Sequence, residues 1–354
     1  MKALYTFITL AVAFLLTNAN LYASDTEAKQ GEDEEFNAVE VIMHHIADAH
    51  EFHILDYTDD FGVEHPVAIP LPVILYTNDS LDVFGSLDVF MSSEFNHGHD
   101  EVICGTRTYK LDHGHVVELG GAHPIDFSIT KNVFSMFLSI IIILLLFITV
   151  GRSYRKGGLA PKGLASFIEP LVLFVRDDIA VPNIGAKKAD KFLPYLLTVF
   201  FFIWVNNILG LIPFFPGSAN LTGNISFTIT LSFITFLITN LNGNKDYWKH
   251  VFATPGVPFW LLPIMIPVEL MGIIAKPVAL LIRLFANITA GHIIILSLIS
   301  LIFIFKTVMI APVSVGFVLF MDVLELLVAA LQAYIFTLLS ALFIGMAVAE
   351  HEHH

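Results

Sequence analysis

The sequence predicts an all-α polytopic membrane protein: five transmembrane helices, the last two a long tilted hairpin, behind a small β-rich N-terminal domain. Three observations lead there. The 354 residues are 56% hydrophobic and 14% charged, with mean hydropathy +0.75, beyond the roughly 45–50% apolar content of soluble domains and gathered into long blocks. Charge is segregated: 21 acidic and three basic residues lie between Ser24 and Ile125, against 11 and 15 elsewhere. Finally, the longest apolar run, Leu261 to Phe305, carries Glu269, Lys276, Arg283, Asn287 and His292. An arginine in mid-membrane costs about 2.5–3.5 kcal/mol even on lenient insertion scales, so it marks a partner, a cavity or an ion path. The chain has no basic patch to suggest nucleic acid, and its lone Cys104 excludes an intrachain disulfide.

Residues 1–23 read as a secretory signal peptide, with Lys2, an apolar run from Ala3 to Leu16, and Ala23 before Ser24. Leu21 at the −3 position is a weak match to the small-residue rule, and an uncleaved anchor is the other reading. Both send residues 24–126 across the membrane. That domain begins with a charged lead, DTEAKQGEDEE. A helix is predicted over FNAVEVIMHHIADAHEFH from Val39, Ile42, Met43 and Ile46, placing His44, His45, His50 and His53 on one element. Extended segments follow: VAIPLPVILYT, SLDVF, and a hairpin in GTRTYKLDHGHVVELGG turning at Asp112–His113–Gly114. Ten of the 15 histidines lie in this domain, with His97/His99 and His113/His115 as H-x-H pairs. Metal ligands occur at such spacings. A solvated acidic surface rich in histidine explains them as well, and no metal or cofactor is assigned.

Residues 127–354 form the membrane domain. Val133–Val150 is a span of the length the hydrocarbon core needs. Arg152, Arg155, Lys156 and Lys162 follow it, the positive-inside pattern that sends this span from outside to inside. Leu164–Ala180 carries Pro170, Glu169, Arg176, Asp177 and Asp178, and reads as an amphipathic helix on the inner surface. A second span, Phe192 to Ile212, has Asn206 and Asn207 near its outer end; a third, Ile225 to Leu241, returns inward to Lys245, Asp246, Lys249 and His250. The last two segments are Pro258–Phe305 and Ala311–Ala349. A helix over the first would be about 70 Å long, which requires steep tilt or a break at Pro263, Pro267 or Pro277.

Within the hairpin the polar residues are ordered. Glu269, Lys276 and Arg283 are spaced by seven, a drift of about 20° per step, and Asn287 joins that stripe, whereas His292 faces nearly the opposite way. Asp322, Glu325 and Gln332 repeat the device on the second helix. Antiparallel pairing puts Arg283 level with Gln332 and His292 level with Glu325, about 13–14 Å further out. His292 and Glu325 can exchange protons on an outer path. Glu269 suits an inner one, and Arg283, which cannot deprotonate at useful pH, is a barrier between them. Helix-to-helix hydrogen bonding is the plainer account for Asn287 or Gln332 taken alone.

AKPVALLIRLFANITAGHIII, with Arg283 and Asn287, followed by LQAYIF with Gln332, resembles the ATPase A chain family, subunit a of the F-type ATP synthase membrane sector. WVNNILGLIP around Asn207 and FVRDDIAVPNIG fit as well, so the resemblance covers about Phe127 to Glu350. It implies that Arg283 faces a ring of c subunits and separates two offset half-channels, with Asn287 and Gln332 close by. His292 and Glu325 match the outer half-channel and Glu269 the inner one, while Asn207, Lys276 and Asp322 are secondary polar lining. It further implies a non-catalytic stator subunit in the cell inner membrane, with b-type peripheral stalk subunits and an ATP-forming head as partners. The N-terminal domain would be periplasmic and the C-terminus cytoplasmic. The acidic extension exceeds the family's usual short N-terminus and resembles those of Bacteroidetes-type members; its removal is expected to leave proton conduction intact. A His-rich metal/proton secondary antiporter is the alternative, disfavoured because no internal repeat is found.

Overall fold

The computed structural model describes residues 42, 46–58, 64–77, 86–98, 100–105, 107–112, 115–119, 124–155, 163–212, 215–252, 258–305 and 310–349. The predicted signal, the acidic lead, His44, His45, His99 and His113 lie outside these residues.

Three small antiparallel sheets make up the N-terminal region. β1 (Glu51–Thr58) pairs with β2 (Glu64–Pro70). β3 (Pro72–Thr77) lies between β4 (Ser86–Met91) and β8 (Ile125–Asp126). β5 (Val102–Cys104), β6 (Arg107–Asp112) and β7 (His115–Glu118) form the third. Period-two patterning directs the packing: Val73, Leu75 and Thr77 of β3 turn inward to meet Phe90, Phe95, Val102, Tyr109 and Val116. Tyr109 is fully buried and its hydroxyl donates to Asp88 Oδ2 at 2.6 Å. Arg107 joins the same carboxylate at 3.4 Å and Glu118 at 3.7 Å, so the buried cation is matched on both sides. The hairpin predicted at Asp112–His113–Gly114 is present as β6–β7, with Asp112 paired to His115. The single helix carrying four histidines is not. Ile46 is the last helical residue, Ala47–His50 leaves the helix, and His53 belongs to β1, because the alternating Glu51–Thr58 segment finds a partner strand in β2.

This region is fastened to the first membrane helix, α1 (Lys131–Arg155). Asp48 closes its N-terminus, accepting from the Asn132 amide at 3.3 Å and the Thr130 hydroxyl at 2.9 Å. The Phe52, Phe134 and Phe215 rings meet at 5.3–5.5 Å. Asp126 accepts from His50 at 3.2 Å and from the Ser128 amide at 2.8 Å. Burial alone would raise its carboxyl, but these bonds and the His50 charge outweigh it and hold the group at about 2. A domain so attached is not a free extension of α1.

Behind α1, α2 (Leu164–Leu173) runs through a π-helical segment, Phe174–Ala180, into α3 (Val181–Ile184). Next come α4 (Ala186–Leu211) and α5 (Ile225–Leu241), the latter capped by the Asn224 side chain. α6 (Lys245–Phe252) is bent 101° from α5. α1, α4, α7 (Leu262–Phe305) and α8 (Ala311–Val348) are each long and apolar enough to cross a bilayer. α5, with 17 residues, passes only when counted with α6, so four to five spans result.

α7 is one uninterrupted helix of 44 residues, about 66 Å long. Pro263 stands in its first turn, where no amide partner is needed; Pro267 and Pro277 are absorbed within it. α8 packs against both α7 and α4. Its C-terminal half is buried among Leu196, Phe201, Leu280 and Leu284, contributing Ala333, Phe336, Ala341 and Ile344. Its end is locked: Lys188 Nζ and Asn244 Nδ2 both donate to the Val348 carbonyl at 2.7 Å. A Cβ on Gly345 would overlap the Asn183 carbonyl, so glycine permits that approach. By contrast only 6% of the most apolar stretch of α7 is buried, leaving one side of the hairpin uncovered.

Candidate functional site

Two narrow cavities, each with polar side chains in an otherwise apolar lining, flank Arg283 along α7. The outer one lies where α4, α7, α8 and the Leu221–Gly223 turn converge, and is lined by Asn207, Thr222, Asn287, His292 and Glu325. Its free volume of about 10 Å³ matches the room one water needs. Each polar side chain is there for a local reason. Asn207 is buried near the end of α4, accepts from the Thr222 hydroxyl at 2.7 Å and donates to the Ala329 carbonyl at 3.3 Å. His292 Nδ1 donates to the Ile288 carbonyl one turn back, at 3.1 Å. That nitrogen lies 3.9 Å from Glu325 Oε1, and both side chains are largely buried. Glu325 Oε1 has no hydrogen-bond partner among the described residues. The carboxylate fits beside α7 because position 291 is glycine, where any Cβ would strike it.

Asn287 Nδ2 donates to Gln332 Oε1 at 3.0 Å, tying the two hairpin helices together at the floor of this cavity. The sequence-level register is thus right for His292 and Glu325. It is one turn off for Gln332, which meets Asn287 and not Arg283. Gln332 is 1% exposed on the packed side of α8, whereas Arg283 projects from the open side of α7.

The inner cavity lies between α5, α7 and α8, lined by Thr235, Thr239, Asn240, Tyr247 and Lys276 and closed above by Leu280. Tyr247 donates to Asn240 Oδ1 at 3.0 Å, and Tyr195 meets Thr235 Oγ1 at 2.7 Å. Lys276 reaches over the Phe343 ring at 5.7 Å, so its ammonium is held by an aromatic face. Glu269 sits below, 4.0 Å from His250 Nδ1. Glu269, Lys276, Arg283 and Asn287 stay within about 40° of one another around α7, because two seven-residue steps drift by about 20° each and Asn287 returns to the direction of Glu269. Along that stripe Glu269 and Lys276 are half-buried, whereas Arg283 and Asn287 are exposed.

Arg283 stands three residues beyond Leu280 and four before Asn287, about 4.5 and 6 Å of helix rise from the two cavities. It is exposed, and no described residue pairs with its guanidinium. Asp322 is exposed on α8 and lines neither cavity. Among the described residues no group of three or more His, Cys, Asp or Glu is placed to hold a metal.

Sequence reasoning missed the hydroxyls and amides contributed by the other helices: Thr222 and Asn220 outside, Thr235, Thr239 and Tyr247 inside. A threonine recurring every fourth residue on α5, at 235 and 239, was the available signal.

Residues 133–345 match the family model described as ATP synthase A chain, and residues 41–132 match one described as a domain of unknown function (DUF8433). ATP synthase subunit a of Chloroherpeton thalassium is 51% identical over 244 residues, 67% of this chain and 71% of that protein. Subunit a of an Anaeromyxobacter species is 42% identical over 339 residues, 92% of this chain and 74% of that one. Subunit a 2 of Chlorobaculum tepidum is 50% identical over 237 residues, 65% and 66% of the two chains.

Proposed function

Since this chain belongs to the ATP synthase A chain family, we propose that its two cavities are the two half-channels of the proton path and Arg283 the barrier between them. The chain is the proton-conducting stator subunit of F-type ATP synthase, a multi-pass protein of the membrane sector that makes no ATP itself. The family membership displaces the antiporter alternative.

Protons enter from the periplasm and reach the His292–Glu325 pair, whose 3.9 Å separation is beyond a direct hydrogen bond and calls for a bridging water. From there a proton neutralises a carboxylate on the ring of c subunits, which passes along the open side of α7. After rotation, the carboxylate discharges towards the cytoplasm through the cavity of Thr235, Tyr247 and Lys276, past Glu269. The Arg283 guanidinium favours the ionised carboxylate as it passes and cannot itself relay the proton. Asn287 and Gln332 hold the hairpin at the level where the outer cavity ends. The uncovered side of α7 supports the ring as its partner, and b-type stalk subunits complete the stator. This reading places residues 1–23 as a signal peptide, residues 24–126 in the periplasm and the C-terminus in the cytoplasm of a cell with an inner membrane.

The observation that carries the proposal is the position of an exposed, unpaired arginine between two separate cavities. Its test is Arg283→Ala in the assembled complex. ATP-driven proton pumping into inverted vesicles is expected to be abolished while hydrolysis by the detached head persists; full pumping would refute the barrier role.

A further inference from the structure

Four buried polar atoms on the outer side lack a hydrogen-bond partner among the described residues: Asn132 Oδ1 and Ser135 Oγ on α1, Asn206 Oδ1 on α4, and Asn220 Nδ2 before the Leu221–Gly223 turn. Each belongs to a side chain no more than 5% exposed. Asn132, Ser135 and Ser139 fall at i, i+3 and i+7, one face of α1. That face meets α4, where Asn206 donates to Ser139 Oγ at 3.0 Å, and α1 also touches the Leu221–Gly223 turn. Asn207, the next residue of α4, and Asn220 both line the outer cavity. Helix-to-helix bonding accounts for Ser139, which donates to the Met136 carbonyl and accepts from Asn206. It does not account for the other atoms. Buried polar groups in a membrane interior are matched by protein or by ordered water, and dry ones are expensive.

We propose that the Asn132–Ser135–Ser139 face of α1, with Asn206 and Asn220, forms a hydrated arm of the access path, leading from the junction with the N-terminal domain to the His292–Glu325 cavity. The proposal rests on the channel reading above. The amides and hydroxyls hold waters and do not titrate. Each bridging water accepts one proton and releases another, so a proton advances while the side chains stay neutral.

The experiment uses intact complexes reconstituted in liposomes, in a Cys104→Ser background, with proton flux driven by a potassium diffusion potential. Ser135→Val is expected to lower flux at least threefold, and Ser135→Thr, which keeps the hydroxyl, to retain most of it. Ser135→Cys is expected to conduct and then lose conduction when micromolar Ag⁺ replaces its thiol proton. Phe137→Cys, which points out of the bundle on the same helix, is expected to be insensitive. Wild-type flux in Ser135→Val, together with Ag⁺-resistant Ser135→Cys, would overturn the arm; if Ser135→Val does not assemble, the Ag⁺ result decides. Glu325→Gln is measured in parallel. Its impairment alongside normal Ser135 variants refutes the arm only, whereas wild-type flux in Glu325→Gln refutes the channel reading itself.

Discussion

Gly291→Ala separates the geometry of the His292–Glu325 pair from the stability of the helix that carries it. A Cβ at 291 would overlap the Glu325 carboxylate, with Cδ at 2.9 Å and Cγ at 3.2 Å. The obstacle is the end of a flexible side chain, so the carboxylate moves before the backbone does. Ordinary contact requires about 1.4 Å of displacement of the carboxylate oxygen or a change of rotamer, at a cost of about 0.5–1.5 kcal/mol. Replacing glycine by alanine inside a helix returns about 0.4–1 kcal/mol. The two nearly cancel, and the melting temperature of the purified complex is expected to stay within a few degrees of wild type. Proton transfer is far less tolerant, since a misplacement of about 1 Å can cost about 10²-fold. ATP-driven pumping should therefore fall at least tenfold while soluble hydrolysis by the head is unchanged. Gly151→Ala, whose added Cβ meets nothing within 4 Å, serves as control. Normal pumping in Gly291→Ala, with the protein assembled, would show that the position of the Glu325 carboxylate does not matter to conduction.

Exchanging the pair, His292→Glu with Glu325→His, is expected to retain much more pumping than Glu325→Ala, because the two groups lie 3.9 Å apart in one cavity; equal loss in both would break the paired relay. The Asp126 carboxyl, held at about 2 against an ordinary 3.8, stabilises the N-terminal region fully above pH 4 and loses that contribution as pH falls through about 2. The group is half-exposed, so the contribution is discounted to about 1 kcal/mol. Thermal melts of the N-terminal signal between pH 5 and pH 2 should show Asp126→Asn flattening this dependence, and an unchanged slope would refute the assignment.

The hairpin was legible because its signals are local and periodic. An apolar run of fixed length gives the helix, and antiparallel counting alone brought His292 to Glu325. Counting was one turn off for Gln332, which is buried and pairs with Asn287, because index sums fix depth only to within about a turn and do not say which side of a helix is packed. The polar stripe holds its direction to within about 40°; what spacing does not give is its cover, half-buried at Glu269 and Lys276 and exposed at Arg283. The inner cavity was invisible because its hydroxyls come from α5 and α6, whose 101° bend no composition rule announces. In the N-terminal region the histidine helix was overridden by a strand, as alternation over Glu51–Thr58 competes with helical spacing across the same residues.

Asp48 bears on how the protein is made. The amide it caps belongs to a residue 84 positions later, and everything between must fold before the two can meet. Until then the first turn of α1 has open N–H groups, and its neighbouring Phe134 is without Phe52. The first turn of the first span is thereby completed only when the N-terminal region has folded, so the two regions share one end state.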